Sequence, residues 1–245
     1  DLIYGLPQQT MEQWQSNLTA AVDLAPEHLS CYGLKVEEGT PLFAVRDTAG
    51  LPGDEQQADM YLWTVEFLAQ MGYAQYEISN FAKPGRESRH NLKYWTLQEY
   101  VGFGPGAHSD FGGVRYAYDR DLEGYIQGVQ THAPMLSESE SIPPLERDTE
   151  WLMLGLRTVQ GLDPKVFERR FRRRFDCFRP FLEECRTAGY AVEEEGRWHL
   201  TPKGFLVSNQ IIGGMLDALA EEKRRRAEAT ARGDFRVDLG EGKKP

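Results

Sequence analysis

The chain has 245 residues, of which 40% are hydrophobic and 11% aromatic, enough for two packed domains and too much for a disordered chain. Its formal net charge of -10 at pH 7 argues against nucleic acids and anionic lipids as main partners. Three widely spaced cysteines indicate free thiols rather than a disulfide framework, and no apolar run approaches the ~20 residues of a membrane-spanning helix. We therefore expect a cytoplasmic protein without a transmembrane segment.

The first eighty residues alternate short apolar runs with amphipathic helices. Three predicted strands cover residues 1–6, 28–36 and 73–79. The short apolar run of the first one predicts a strand that is buried on both faces. Two helices are expected between them, one with a capping box at Thr10 and Gln13 and one that opens at Asp54. This alternation is typical of a parallel α/β sheet. Because three strands leave a sheet edge unpaired, we expect further βα units upstream of Asp1.

The middle of the chain has a different composition. From residue 80 to about 118 it is rich in Gly, Asn, Tyr and Trp with little helical periodicity, which predicts functional loops. A short helix over 119–130 and a linker over 137–144 are expected next. These patterns divide the chain into residues 1–118, a connecting helix and linker at 119–145, a C-terminal domain at 146–220 and a charged tail at 221–245.

The C-terminal domain is predicted to be a small winged-helix-like α+β module. Its pattern gives three helices, one of them opening at Asp163-Pro164, then a hairpin about Glu195-Gly196 and a last helix from Thr201-Pro202. Phenylalanines spaced by four predict a core stripe, formed by Phe167, Phe171 and Phe175.

Arginines at 169, 170, 172, 173 and 174 are interleaved with that stripe. Basic and aromatic residues together raise the hypothesis of a nucleic-acid surface. We favour a structural role, in which the arginines face solvent beside Glu168, Glu183 and Glu184, because the chain as a whole is acidic.

Three features could have a binding or catalytic role, and for each the residues alone also allow a purely structural one. Asp1 could accept two ribose hydroxyls, although a carboxylate at a strand end is more often simply solvated. His90 is an imidazole that can ligate iron, with Tyr94 and Trp95 close by to stack on a macrocycle, or it is a loop histidine packed over two aromatics. The glycine-rich run at 102–109 could offer backbone N–H groups to an anion, but we favour a tight chain crossing.

Several longer motifs together resemble one protein family. They are DLIYGLP at 1–7, HLS at 28–30, EGTP at 38–41, YEISNFA at 76–82, HNLKYW at 90–95 and GPGAHS at 104–109. In this order they are similar to the C-terminal two-thirds of HemW-type proteins, radical S-adenosylmethionine proteins related to oxygen-independent coproporphyrinogen III oxidase. Residues 146–216 resemble the C-terminal domain that both kinds of protein share.

The resemblance implies a fold, cofactors and site residues. The fold would be an α/β one, the C-terminal part of a partial TIM-like barrel, followed by the winged-helix-like domain. Haem would bind at the HNxxYW motif, with His90 as the iron ligand and Asn91, Tyr94 and Trp95 around it. Asp1 would contact the ribose of S-adenosylmethionine, with Ile3 and Tyr32 near the same cofactor.

The family's CxxxCxxC motif, which holds a 4Fe-4S cluster, does not occur in these 245 residues. We therefore expect this chain to lack the cluster segment that the full-length protein would carry. The leading hypothesis is a haem-binding chaperone that passes haem to an acceptor protein, with respiratory haemoproteins as candidate acceptors. The alternative is oxidative decarboxylation of coproporphyrinogen III. Whether the chain acts as an enzyme stays open at this point, and no nucleic-acid partner is expected.

Overall fold

The computed structural model describes residues 1–133 and 135–231, so most of the predicted charged tail lies outside the described residues. The strands are β1 (Leu2–Tyr4), β2 (His28–Gly33), β3 (Ala74–Glu77), β4 (Asn80–Ala82), β5 (His108–Phe111), β6 (Val114–Tyr118), β7 (Leu136–Ser141), β8 (Ala191–Glu194) and β9 (Arg197–Leu200). The helices are α1 (Met11–Asp23), α2 (Pro41–Val45), α3 (Asp54–Gln70), α4 (Arg89–Trp95), α5 (Leu122–Thr131), α6 (Asp148–Gly155), α7 (Pro164–Phe171), α8 (Arg179–Thr187), α9 (Pro202–Leu206) and α10 (Ser208–Ala231). Short 3-10 helices cover Pro144–Glu146 and Phe175–Phe178.

The N-terminal strands form a mixed sheet in the order β1-β2-β4-β3. β1 and β2 are parallel as predicted, but β4 lies between β2 and β3 and runs antiparallel to both. The three predicted strands, β1, β2 and β3, therefore run in the same direction as expected, and the sheet is mixed because the unpredicted strand β4 lies between β2 and β3. The reason is the two-residue connection from β3 to β4, since so short a link can only return the chain in the opposite direction.

Helices α1 and α3 cover one face of this sheet. The capping box of Thr10 and Gln13 is confirmed at the start of α1, whereas α3 is capped by Gly53, one residue before the predicted opening at Asp54. The indole N–H of Trp14 donates to the Thr64 hydroxyl at 2.8 Å and so joins the two helices. Side chains of this layer are almost completely buried, among them Trp14, Leu18, Met60, Leu68 and Phe81.

The second face of the sheet is only partly covered. Ile3 of β1 is 46% exposed and Tyr32 of β2 is 42% exposed. The prediction that the first strand is buried on both faces is therefore wrong, because the helices pack on one side alone.

The middle region contains more regular structure than predicted. Within the expected loops at 80–118 lie β4, the short helix α4 and the hairpin β5–β6, which turns through Gly112 and Gly113 at φ 63° and 78°. The predicted linker at 137–144 is mostly β7, which pairs with β6. The sequence of β7, LSESES, lacks the apolar alternation by which strands are recognised. All six of its residues are exposed, as this polar sequence requires.

The glycine-rich run is a tight crossing at Gly102, whereas a Cβ on Gly104 would meet no atom within 4 Å. A Cβ on Gly102 would lie 2.3 Å from the carbonyl oxygen of His108, and the amide of Gly102 donates to the Ser109 hydroxyl at 3.0 Å. This agrees with the interpretation that side chains do not fit there.

The C-terminal domain is built on the predicted phenylalanine stripe. Phe167, Phe171, Phe175 and Phe178 are at most 2% exposed, and the ring of Phe167 contacts the other three. Asp163 caps α7 by accepting from the amides of Lys165 and Val166. The hairpin turns through Glu195 and Gly196 as predicted, both with positive φ, but the last helix is divided into α9 and α10.

The arginines near the stripe have partners other than those predicted. Arg173 forms an ion pair at 3.0 Å with Asp148, whose side chain is completely buried. Asp148 forms a second ion pair with Lys223 of α10 at 2.8 Å. Arg174 pairs with Asp176. Glu168 instead accepts from the amide of Phe175, and Glu183 pairs with Arg186. These contacts support the structural role for Arg173 and Arg174.

A buried ion-pair network fixes the sheet of β5, β6 and β7 to the C-terminal domain. Arg147 holds both carboxylate oxygens of Asp110 at 2.7 Å, and both side chains are less than 10% exposed. Arg115 bridges Asp110 and Glu150. Burial opposes ionisation of Asp110, but the hydrogen bonds from Arg147 and Arg115 outweigh it and lower the pKa of this carboxyl.

Candidate functional site

The open face of the N-terminal sheet brings two of the predicted site residues together. Ile3 and Tyr32 are directly paired across β1 and β2, so their side chains project from the same face. Asp1 is exposed immediately before β1. An apolar side chain, a phenol and a carboxylate therefore lie at one end of an accessible sheet surface.

Tyr76 lies on β3, at the opposite edge of the sheet from β1, and the sequence did not identify it as a site residue. Its hydroxyl is 2.9 Å from Nε2 of His28 on β2 and accepts from the side-chain amide of Asn91 on α4 at 3.4 Å. Burial raises the pKa of the Tyr76 phenol and lowers the pKa of His28. Tyr76 therefore joins the sheet to the helix that carries the HNxxYW motif.

Glu77, next to Tyr76, is a buried carboxyl group without a cationic partner in the described part of the chain. It is 1% exposed and accepts from the amide of Ser79 at 3.2 Å and from the side chain of Asn80. Burial raises the pKa of Glu77. The amide of Ile78 donates to the Arg157 carbonyl at 2.9 Å, so sheet, α4 and C-terminal domain meet at this point.

Helix α4 presents His90 to solvent. The helix is capped by Ser88, which accepts from the amide of Asn91. Nε2 of His90 is 2.7 Å from the hydroxyl of Tyr94, one turn further along, and the two rings are perpendicular with centroids 5.0 Å apart. Tyr94 in turn packs edge-on against Tyr100 at 4.6 Å. The imidazole is thus accessible and lies beside two phenol rings.

Trp95, the last residue of the motif, belongs to a different environment. It comes five positions after His90, which places it roughly 140° around the helix. Its indole N–H is buried without a hydrogen-bond partner in the region described, and its ring lines a cleft of about 210 Å³ against the C-terminal domain. The structure therefore brings His90 and Tyr94 together, directs Asn91 to Tyr76, and separates Trp95 from the imidazole.

His28, Tyr76 and Glu77 belong to motifs quoted for the family resemblance, but the sequence did not identify them as site residues. The sequence signal was present, since YEISN follows an amphipathic helix and ends a predicted strand. The contact itself was not predictable, because Tyr76 meets His28 across 48 positions of the chain.

Within residues 1–133 and 135–231, no group of three or more His, Cys, Asp and Glu side chains could hold a metal ion. Cys31 and Cys185 are buried and Cys177 is partly buried. Burial raises the pKa of Cys31 to about 12 and that of Cys177 to about 11. These thiols do not fit an iron–sulfur cluster. None of the described helices is long and apolar enough to cross a membrane.

Comparison with known proteins connects this geometry to a family. The model of the HemN C-terminal domain family matches residues 142–207. "Heme chaperone HemW" of Bacillus subtilis is 35% identical over 222 residues, which cover 89% of this chain and 59% of that protein. "Heme chaperone HemW" of Escherichia coli is 33% identical over 217 residues, covering 86% and 56%. The mitochondrial "Radical S-adenosyl methionine domain-containing protein 1" of Danio rerio is 36% identical over 178 residues, covering 69% and 40%.

A solved structure shows the same fold. Coproporphyrinogen III oxidase (HemN) from Escherichia coli, described as a radical SAM enzyme, matches with a TM-score of 0.67 at 24% identity, over 86% of this chain and 53% of that one. The architecture is therefore that of part of a HemN-like radical S-adenosylmethionine protein with its C-terminal domain. In sequence the chain is similar to HemW proteins over most of its own length, and it spans between half and three-fifths of the length of the HemW proteins cited above.

Proposed function

We propose that this chain is the haem-binding part of a haem chaperone and that His90 is the iron ligand. The observation that carries the proposal is the accessible imidazole of His90, held beside Tyr94 on a short capped helix. Histidine is a common axial ligand of haem iron. The curated HemW relatives, at about a third identity, support haem as the cargo.

The neighbours of His90 suit a cargo that is bound and then released. The Tyr94 hydroxyl holds Nε2 of the imidazole, and Nδ1 has no hydrogen-bond partner among the described residues. Tyr94 is 39% exposed and Tyr100 packs behind it, so a flat macrocycle can lie against aromatic surface without being enclosed. An exposed site of this kind lets an acceptor protein reach the haem. Respiratory haemoproteins and a cytoplasmic location remain predictions.

The open sheet face fits S-adenosylmethionine in the longer protein. Ile3 and Tyr32 offer apolar and aromatic contact, and the carboxylate of Asp1 can accept the two ribose hydroxyls. A 4Fe-4S cluster would supply the electron for reductive cleavage of this cofactor. The described residues contain no ligand set for that cluster, so no chemical step of this chain is derived through it.

Decarboxylation of coproporphyrinogen III is the second hypothesis. It rests on the likeness to HemN, which at 24% identity concerns the fold alone. A product assay on the full-length protein separates the two hypotheses, since formation of protoporphyrinogen would favour the oxidase.

A hemin titration followed at the Soret band tests the proposal. Wild-type chain is expected to give a saturable band, and His90→Ala is expected to bind at least about tenfold more weakly, because a ligand to iron is lost. His108→Ala is the matched control, since His108 is also exposed but lies on β5. Equal titrations of the wild type and His90→Ala would remove His90 from the site.

A further inference from the structure

The cleft beside Trp95 lies between the HNxxYW helix and the C-terminal domain. Its lining includes Trp95 and Thr96 at the end of α4. The C-terminal domain contributes Trp151 of α6, Gln160 and Arg170. With a volume of about 210 Å³ it can take a side-chain-sized group but not a whole macrocycle. Any larger ligand that uses it must insert one substituent.

Two residues that line the cleft carry hydrogen-bond donors without an acceptor among the described residues. The indole N–H of Trp95 is buried without a partner in the described part of the molecule. An unsatisfied buried donor of this kind costs about 1–3 kcal/mol, so a ligand that accepts from it gains affinity. Arg170 at the rim forms no ion pair or hydrogen bond with any residue that the structure describes, and its guanidinium lies against the ring of Phe171. The buried indole N–H therefore lacks an acceptor, and the exposed residue Arg170 is free to form an ion pair beside it.

The charges around the cleft favour an anion. Its acidic residue, Asp163, is already engaged by Arg197 at 3.2 Å and by the first amides of α7. Arg147 lies close enough to Arg170 that partial burial and this second cation together lower the pKa of Arg170. Arginine stays protonated nevertheless, so a positive charge without an ion-pair partner among the described residues remains at the rim.

We infer that this cleft binds a carboxylate, which accepts from the Trp95 indole N–H and pairs with Arg170. A planar carboxylate matches the forked guanidinium and has a second oxygen for the indole. The inferred source of the carboxylate rests on the proposed function: haem carries propionate side chains small enough for the cleft. The carboxylate site itself depends only on the geometry of Trp95 and Arg170.

The site is tested first with sodium propionate and the ¹⁵N-labelled chain. The chain has five tryptophans, and the indole N–H signal of Trp95 is assigned as the one missing from Trp95→Phe. We expect this signal to shift saturably with propionate and not with propionamide, the neutral analogue. Binding is expected to weaken about tenfold in Arg170→Gln and to stay unchanged in Arg169→Gln, an exposed neighbour outside the cleft. A missing shift, or one unaltered by Arg170→Gln, overturns the inference.

The source of the carboxylate is tested with hemin and hemin dimethyl ester. If a propionate enters the cleft, wild-type chain prefers hemin over the ester, and Arg170→Gln reduces this preference while His90→Ala keeps it. If propionate binds at Trp95 but the preference for hemin is insensitive to Arg170→Gln, the site takes a free carboxylate and the haem assignment is wrong. If neither porphyrin binds while propionate does, the proposed function fails and the carboxylate site stands.

Discussion

In the C-terminal domain four phenylalanines pack on one another with at most 2% of their surface exposed, whereas in the N-terminal sheet Ile3 and Tyr32 remain more than 40% exposed. The first arrangement is a closed core, and the second has helices on one face alone. The closed core can keep its packing without a ligand. The open sheet face and the exposed helix α4 leave surface that a ligand can contact. The proposed binding surfaces of this chain therefore lie where packing is incomplete.

The strongest test of this comparison is the core itself. Phe167→Ala removes a fully buried ring that contacts Phe171, Phe175 and Phe178, and we expect a loss of about 3–5 kcal/mol in the free energy of unfolding. Urea denaturation followed by circular dichroism measures it. Phe103→Ala is the control, because Phe103 is 86% exposed and its loss should change stability by less than about 0.5 kcal/mol. Similar losses in both variants would show that the core is not closed.

The ion pair that fixes the middle sheet to the C-terminal domain should come next in size. Asp110→Asn leaves Arg147 buried without its counter-charge, and we expect a loss of about 3 kcal/mol at pH 7. The pKa of Asp110 is lowered in the folded state, so its contribution is present above the unfolded value of about 3.9 and is lost as pH falls through the folded value.

The stability difference between wild type and Asp110→Asn should therefore shrink when unfolding is measured near pH 3. A difference that stays constant between pH 7 and pH 3 would contradict the assignment of the charge to Asp110.

Within the N-terminal sheet the comparison can be made between its two faces. Leu29→Ala removes a side chain that is 5% exposed beneath α1 and α3, and we expect a cost of about 2–3 kcal/mol. Ile3→Ala removes one that is 46% exposed, and the cost should stay below about 1 kcal/mol. Thermal unfolding of both variants measures the contrast, and equal costs would mean that the second face is covered in solution.

The smallest effect concerns the arginines outside the core. Arg173→Ala withdraws a cation from the fully buried Asp148, to which Lys223 stays bound, so we expect a loss of about 1–2 kcal/mol. Arg174→Ala breaks an exposed pair with Asp176 and should change stability by less than about 0.5 kcal/mol. Chemical denaturation of both variants provides the measurement. If Arg174→Ala proved the more damaging, the structural reading of this arginine run would be wrong.

Local patterns in the sequence predicted much of the C-terminal domain. The cap at Asp163, the stripe from Phe167 to Phe175 and the turn at Glu195-Gly196 each depend on residues close together in the chain. For the same reason the capping box at Thr10 was predictable and is confirmed. The turn at Gly112-Gly113 carried an equally local signal that was overlooked, since two glycines between short runs are a hairpin pattern.

Contacts between distant segments could not be predicted in this way. The antiparallel strand β4 and the pairing of β7 with β6 depend on which edge each strand meets, and β7 is too polar to show alternation. In the candidate site, the residue types of the HNxxYW motif were visible in the sequence. The separation of Trp95 from His90 and the link from Asn91 to Tyr76 come from tertiary packing.

Magnetic circular dichroism of the ferric hemin complex is the sharpest test of His90 as the iron ligand, because it reports the axial ligand of the iron. We expect a histidine-ligated spectrum for the wild-type chain and the same ligation in Tyr94→Phe, which loses only the hydroxyl beside Nε2. His90→Ala is expected to lose the histidine signature. Identical spectra for the wild type and His90→Ala would contradict this assignment and would place the iron elsewhere on the molecule.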